Sequence, residues 1–159
     1  MNIPAFKLPQ PFGIAMSLIP SYPHSLLFSH TLNLVLVRMI KPELLEPLHG
    51  TLINIRVIDA GLSFFFTIDT SGFVACKAGK IADLTISASA YDFLMLSTRQ
   101  EDPDTLFFSR RLVVEGDTEL GLIAKNTLDA VELPKLNPSY FLPGKILERI
   151  GSRLFSANR

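Results

Sequence analysis

Two apolar strand patterns separated by a short turn most constrain what this chain can fold into. Residues 51–58 (TLINIRVI) and 62–69 (LSFFFTID) each place apolar side chains on one face, because side chains alternate along a strand. Asp59-Ala60-Gly61 lies between them and is typical of a tight turn, with glycine in a backbone conformation that other residues avoid. The pair predicts a β-hairpin with an aromatic inner face.

Three more strand patterns and two helical ones follow the hairpin. Residues 73–77 (FVACK), 83–89 (DLTISAS) and 110–115 (RRLVVE) favour strands, whereas residues 91–99 and the segment after Asp117 show helical spacing of apolar residues. This order predicts an α+β fold. We expect a curved, antiparallel five-stranded sheet covered by helices, with an apolar cleft or tunnel between the layers.

Six acids and two adjacent arginines crowd residues 101–120, which raises the alternative of acid–base chemistry. Four of the acids occupy positions typical of helix starts, as N-caps or in first turns: Asp102, Asp104, Asp117 and Glu119. Pro103 supports this interpretation, because proline suits the first position of a helix. Arg111 and Glu115 are predicted to form a surface ion pair that contributes little to stability. We therefore interpret these acids as structural rather than catalytic.

The chain divides into three segments. Residues 1–24 hold five of the eleven prolines and are predicted to form an extended arm. Residues 25–133 form the main domain, which opens with a helix over residues 25–40 that is apolar on almost every side. Residues 134–159 end in an amphipathic helix over residues 143–155. That helix either docks on the core or touches anionic lipid, with these candidate contacts: Lys145, Ile146, Arg149, Ile150 and Arg153.

Composition narrows the class of partner. Fifteen basic residues balance fifteen acidic ones, which argues against a general nucleic-acid binder. Apolar residues make up 48% of the chain and charged residues only 19%, with a mean hydropathy of +0.32. This apolar excess either fills a dense core or lines a lipid cavity, a membrane contact or a partner interface.

The expected localisation depends on whether the sequence contains a signal peptide or a membrane-spanning stretch. The proline-rich start does not resemble a signal peptide, and the longest apolar stretch, residues 32–40, is shorter than the roughly 20 residues that cross a bilayer. The single cysteine, Cys76, excludes an intramolecular disulfide. We expect a cytoplasmic protein, with peripheral contact to the inner face of the membrane as an open alternative.

Catalytic and metal-binding patterns are not apparent in the sequence. His24, His30 and His49 lack the close spacing of metal ligands, and Cys76 sits in a strand pattern without a neighbouring histidine. Glycine-rich phosphate loops and nucleophile motifs are missing as well. We expect no catalytic residue, no metal and no cofactor.

Residues 51–133 resemble the sterol carrier protein type 2 domain family. The resemblance rests on ADLTISASAYDFLML (residues 82–96), DPDTLFFSRRLVVEGDTELGL (residues 102–122) and the IAKNTLDAVEL that follows. These segments carry an acidic–apolar strand, a leucine-rich helix, a phenylalanine pair, a basic–leucine strand and a glycine–acid helix entry, in the family's order. The proline-rich arm and the helix over residues 25–40 lie outside the core of that pattern.

Within the family, residues 100–122 are similar to a bacterial branch that includes accessory factors of oxygen-independent ubiquinone biosynthesis. This resemblance implies binding of prenylated quinone precursors, phospholipid or other lipids. It also implies cooperation with iron–sulfur hydroxylases that perform the chemistry, and it implies no catalytic residue here.

Nine apolar residues are the candidate walls of a lipid-binding cleft, although each could equally belong to a closed core: Leu34, Val35, Phe64, Phe66, Ile86, Leu94, Phe107, Leu120 and Ile123. Two other functions remain open. The apolar excess could instead build a subunit interface in a structural adaptor that carries no lipid. A minor alternative is an enzyme that acts on a hydrophobic small molecule.

Overall fold

The computed structural model describes residues 5–37 and 39–130. Five strands form one sheet in the spatial order β3-β2-β1-β4-β5. Their bounds are as follows: β1 Ile53–Val57, β2 Leu62–Asp69, β3 Gly72–Ala75, β4 Leu84–Ala88 and β5 Val113–Gly116. Within the described ranges, six α-helices accompany the sheet: α1 Gln10–Ser17, α2 Ser21–Val35, α3 Pro42–Leu45, α4 Ala90–Ser97, α5 Pro103–Phe108 and α6 Thr118–Ala130, with a 3-10 turn at Glu46–Leu48.

The predicted α+β class with a five-stranded sheet is confirmed, but the sheet is mixed rather than antiparallel throughout. β1 pairs in parallel with β4, whereas its pairing with β2 is antiparallel. The chain returns from the sheet edge at β3 through residues 76–83, and β4 is inserted beside β1 in the middle of the sheet. Period-two alternation reports which face a side chain occupies and carries no information about strand direction, which explains the error.

The predicted helix starts near the acidic stretch are confirmed. The carboxylate of Asp102 accepts a hydrogen bond from the backbone N–H of Thr105 at 2.8 Å, and Pro103 opens α5. Asp117 accepts hydrogen bonds from the N–H groups of Glu119 and Leu120 at 2.9 and 3.1 Å. Both carboxylates thus satisfy backbone donors that a helix leaves unpaired at its start.

The predicted pairing of Arg111 with Glu115 is wrong. The guanidinium of Arg111 binds Asp92 Oδ1 through Nε at 2.8 Å and Nη2 at 2.5 Å, and it binds Glu101 Oε2 through Nη1 at 2.6 Å. Glu115 instead pairs with Arg56, and its Oε2 lies 3.8 Å from Arg56 Nη1. β5 begins only at Val113, so Arg111 precedes the strand and turns back toward α4.

The amino-terminal segment is more helical than its prolines suggest. Residues 10–17 form α1, whereas the sequence predicted an extended arm over residues 1–24. α2 begins at Ser21 rather than at residue 25 and ends at Val35 rather than at residue 40. Pro11 and Pro23 fall in the first turns of these helices, where a missing N–H removes no intrahelical hydrogen bond. The predicted helix over residues 143–155 lies outside the described residues.

The helices in the described ranges do not combine the length and apolar character that would let one of them cross a bilayer.

Candidate functional site

The inner face of the sheet is almost wholly apolar. Ile53, Ile55 and Val57 of β1 point to this face, and the strand register aligns them with apolar partners on both neighbouring strands. Those partners are Leu62, Phe64 and Phe66 on β2 and Leu84, Ile86 and Ala88 on β4. Predicted from alternation alone, this aromatic and aliphatic face is confirmed.

Two helices stand over opposite sides of this face. The ring of Phe28 on α2 stacks on Phe64 of β2 with ring centroids 4.4 Å apart. Gly121 on α6 lies so close to β4 and β5 that an added Cβ would meet Val114 Cγ1 at 2.8 Å and Leu84 Cδ1 at 3.6 Å. α2 therefore covers the β2–β3 side and α6 the β4–β5 side, with β1 between them.

A fringe of incompletely buried apolar side chains surrounds the closed core. Ten such residues pack against it: Phe28, Leu32, Leu36, Leu44, Ile55, Phe93, Val114, Leu120, Ile123 and Leu128. They come from α2, α3, α4, α6, two strands and the segment after α2. We call them the inner apolar fringe. A guest in contact with the fringe would be held by apolar area rather than by directed polar contacts.

The structure distributes the nine predicted wall residues over three environments. Phe66 and Ile86 are buried on the inner face, and Phe64 is half-buried beside them. Leu120 and Ile123 belong to the inner apolar fringe, and Leu94 is half-buried on α4. Three others are exposed on helices: Leu34, Val35 and Phe107. Lipid contact by any of the nine remains a prediction.

Sequence reasoning missed the α2 residues that face the sheet. Ser25, Phe28, Ser29 and Leu32 follow the spacing of one helical face, and this face packs on β2 and β3. The two small serines on it could have indicated a close helix–sheet approach. Because the segment is apolar on nearly all sides, its hydrophobic pattern alone did not orient it.

Polar side chains of α2 satisfy the free edge of the sheet. Ser25 Oγ accepts a hydrogen bond from Phe65 N at 2.9 Å, and His24 Nε2 lies 2.9 Å from Ser63 O. Asn33 forms two hydrogen bonds with the backbone of Phe73. These contacts cap backbone groups that would otherwise offer an edge for another strand. His24 Nδ1 and Ser29 Oγ are buried nearby without a hydrogen-bond partner.

Two surface clefts open elsewhere on the described part of the chain, and none of the nine predicted wall residues lines either of them. One, of about 580 Å³, lies along residues 76–81 beside Gly50, Leu52, Thr67 and Asp83. The other, of about 660 Å³, is lined by Arg111, Asp92 and Glu101 together with residues 5–7. Burial opposes the charge of Arg111, but its hydrogen bonds to Glu101 and Asp92 outweigh that effect, and the pKa of Arg111 is raised. This cation is already neutralised by two carboxylates, which disfavours binding of an anion there.

Within the described ranges, no group of three or more histidine, cysteine, aspartate or glutamate side chains could hold a metal ion. His24 is engaged with strand β2 and with the ring of Phe64, and Cys76 Sγ lies 3.8 Å from Thr67 Oγ1. Asp102 and Asp117 bind the backbone of their own helices. The arrangement offers apolar surface, and these two acids are engaged structurally.

An α+β sheet with an apolar inner face, ringed by helices that leave part of the apolar layer accessible, is typical of small lipid-binding domains. Residues 32–129 match the SCP-2 sterol transfer family. The match covers more than half of the chain, and the chain belongs to this family.

Individual relatives refine the comparison. The chain is 48% identical over 92 residues to the protein called ubiquinone biosynthesis accessory factor UbiT from Escherichia coli K12, a match that covers 58% of this chain and 52% of that protein. The UbiT proteins of the O6:H1 and O157:H7 strains match with the same values. The chain thus spans about half the length of the curated relatives it matches. The solved structure titled UbiJ-SCP2 ubiquinone synthesis protein superposes with a TM-score of 0.53 at 23% identity, over 67% of this chain and 94% of that one, and this likeness shows the fold.

Proposed function

We propose that this protein is a non-catalytic lipid-binding accessory protein of oxygen-independent ubiquinone biosynthesis. It holds a polyprenyl quinone intermediate, or a phospholipid, against the inner apolar fringe. The observation that carries the proposal is the apolar inner face of the sheet, together with the partly buried apolar side chains that pack against the core beside it. The similarity to UbiT supports the biosynthetic context.

The chemistry of the fringe suits a long hydrocarbon tail. Each methylene that leaves water for an apolar surface contributes about 0.8 kcal/mol, so a polyprenyl tail gains its affinity by length. The aromatic pair Phe28 and Phe64 adds polarisable surface on the β2 side of the sheet. Hydrophobic burial is not directional, and the same surface therefore accepts prenyl or acyl chains.

The proposal assigns the reactions on the quinone ring to partners. Iron–sulfur hydroxylases of the same pathway would modify a head group that this chain presents, and this chain would supply no catalytic residue. The proposal also includes peripheral contact with the cytoplasmic face of the membrane, from which the lipid is loaded. For the carboxyl-terminal helix, contact through Lys145, Arg149 and Arg153 remains a prediction.

The test is to identify the lipid that accompanies the purified protein. Organic extraction followed by mass spectrometry should find a prenylated phenol, a prenylated quinone or a phospholipid in stoichiometric amount. Titration of the delipidated protein with a prenylphenol should then saturate. A protein without bound lipid that also fails to bind prenylphenols and phospholipids would contradict the proposal.

A structural adaptor that carries no lipid is the second candidate. The exposed side chains of Leu27, Leu34 and Phe108 favour it, because a subunit interface could cover them. An adaptor would assemble with biosynthetic enzymes equally well before and after delipidation. A lipid carrier would show its effect on product formation only when loaded.

A further inference from the structure

Helix α2 turns two small serines toward the sheet beside Phe28 and Leu32, and it turns three of its four leucines toward solvent. Ser25 and Ser29 are 0% and 2% exposed, whereas Leu27 and Leu34 are 69% and 63% exposed. The reason is local: α2 lies against the edge of β2 and β3, where Ser25 and Asn33 hydrogen-bond to backbone groups. The helix therefore presents Leu27 and Leu34 on the opposite side.

Helix α1 and the short turn that follows continue this exposed apolar character. None of the residues of α1 is buried. We define the N-terminal apolar surface as the exposed large apolar residues of this region: Phe12, Ile14, Leu18, Ile19, Tyr22, Leu26, Leu27, Leu34, Val35 and Val37. More than half of the large apolar residues that are exposed in the described ranges belong to it. Exposure on this scale marks an interaction surface.

The electrostatics of this surface indicate what covers it. From Leu8 to Val37 the sequence contains thirty consecutive residues without a charge. In the sequence, Lys7 precedes the stretch and Arg38 follows it. Lys77 Nζ lies 5.7 Å from the centre of the Tyr22 ring. An uncharged apolar surface with cations at its border is complementary to the hydrocarbon and the anionic head groups of a membrane.

Two exposed hydroxyl groups on these helices are already hydrogen-bonded to the preceding turn of their own helix. Thr31 Oγ1 donates to Leu27 O at 2.9 Å, and Ser17 Oγ donates to Ile14 O at 2.8 Å. Hydroxyls that bond to the preceding helical turn lose little when water is removed, as required next to lipid. His30 is exposed between Leu27 and Leu34, and a polar ring at this position suits the head-group region rather than the hydrocarbon centre.

We propose that α1 and α2 lie in the interface of a bilayer that contains anionic phospholipid, with the N-terminal apolar surface inserted. The helices have 8 and 15 residues, fewer than the roughly 20 that span a membrane, so they rest in its plane. This inference builds on the proposed function, because α2 then separates the bilayer from the inner apolar fringe. Phe28 and Leu32 face the sheet from the same helix whose Leu27 and Leu34 face the lipid.

The first experiment uses the absence of tryptophan from the chain. Single Leu27→Trp and Leu122→Trp variants place a fluorescent reporter at two exposed helical leucines, one on α2 and one on α6. On mixing with vesicles of phosphatidylcholine and phosphatidylglycerol, the Leu27→Trp emission should shift to the blue, and the Leu122→Trp emission should stay unchanged. Equal shifts, or no shift at Leu27→Trp, would overturn the proposal.

The second experiment measures binding by vesicle flotation. Leu27→Glu/Leu34→Glu should reduce partition onto the mixed vesicles by roughly tenfold or more, since two leucines are replaced by carboxylates. Leu122→Glu is the matched control and should bind like the unmodified protein. Vesicles of phosphatidylcholine alone should bind the protein more weakly than the mixed vesicles.

The alternative occupant is a second protein chain. If the unmodified protein self-associates without binding vesicles, and Leu27→Glu/Leu34→Glu dissociates it, the surface is a protein interface and the membrane proposal is wrong. Lipid extraction from the same preparations reports on the inner apolar fringe independently. If the protein contains bound lipid but does not bind vesicles, the membrane inference is wrong and the proposed function is unaffected.

Discussion

The side-chain amide of Asn33 forms two hydrogen bonds with the backbone of Phe73. Nδ2 donates to the carbonyl oxygen and Oδ1 accepts from the N–H, both at 2.8 Å. One amide thus occupies both hydrogen-bonding groups that this residue of β3 turns away from the sheet. The contact fixes α2 along the sheet edge. It therefore also determines which face of α2 looks outward.

We predict that Asn33→Leu lowers the free energy of unfolding by about 2 kcal/mol, because two hydrogen bonds are lost and two partly buried backbone groups are left unpaired. Urea unfolding, followed by circular dichroism, measures the change. The control is His30→Leu, an exposed position on the same helix, which should change stability little in the absence of lipid. If Asn33→Leu unfolds like the unmodified protein, the edge contact does not hold α2.

A second prediction concerns the ion pairs of Arg111 with Asp92 and Glu101. Arg111→Met should destabilise the protein by about 2 kcal/mol, because the largely buried carboxylate of Asp92 loses its cation and Glu101 lies close by. Adding Asp92→Asn to this variant should restore part of the loss, since the unpaired charge is removed. A double-mutant cycle by urea unfolding tests the coupling, and additive effects of the two changes would contradict it.

The third prediction is a pH dependence at the start of α5. Hydrogen bonds from the Thr105 hydroxyl and then from the Thr105 backbone N–H lower the pKa of Asp102 below its ordinary value. Because the folded-state pKa is depressed, the stabilisation by ionised Asp102 is present above the unfolded-state pKa and is lost as pH falls through the folded-state pKa.

Nuclear magnetic resonance titration checks this prediction. In Thr105→Val, the pKa of Asp102 should rise toward its ordinary value, because the largest cause of the shift is removed. Asp102→Asn should be less stable than the unmodified protein at neutral pH, and the difference should shrink in acid. A pKa of Asp102 that does not respond to Thr105→Val would show that the hydroxyl has no part in the shift.

The fourth prediction concerns lipid capacity. Ile123 belongs to the inner apolar fringe, whereas the neighbouring Leu122 is exposed. If lipid binds beside Ile123, Ile123→Trp should obstruct it and lower the amount of extracted lipid per protein severalfold, and Leu122→Trp should leave that amount unchanged. Thermal unfolding of both variants distinguishes a filled site from a damaged fold, because overpacking also destabilises. Equal lipid content in the two variants would argue against binding at the fringe.

Several elements could be predicted from short stretches of sequence. The turn at Asp59–Gly61 forms between β1 and β2, with Gly61 at a φ of 63°. Asp102 and Asp117 cap helices, and Phe64 and Phe66 share one face of β2. In each case the physical cause lies within a few residues along the chain: a backbone conformation, an unpaired donor or the two-residue period of a strand.

The residues of the candidate site were harder to predict from local sequence. Phe64, Phe66 and Ile86 were placed on the inner face because a strand has only two faces, whereas Leu34 and Val35 on α2 point outward. A helix that is apolar all round carries no directional signal. Long-range hydrogen bonds to β2 and β3 oriented it instead.

By itself, then, the sequence determined the two-residue period of the strands, the helix caps at Asp102 and Asp117 and the apolar character of the sheet's inner face. Only the tertiary structure decided that β4 pairs in parallel with β1, that Arg111 binds Asp92 and Glu101, and that Ser25 faces inward while Leu27 faces outward. These outcomes depend on which distant segments meet, and hydrogen bonds and packing between such segments are not written in any local pattern.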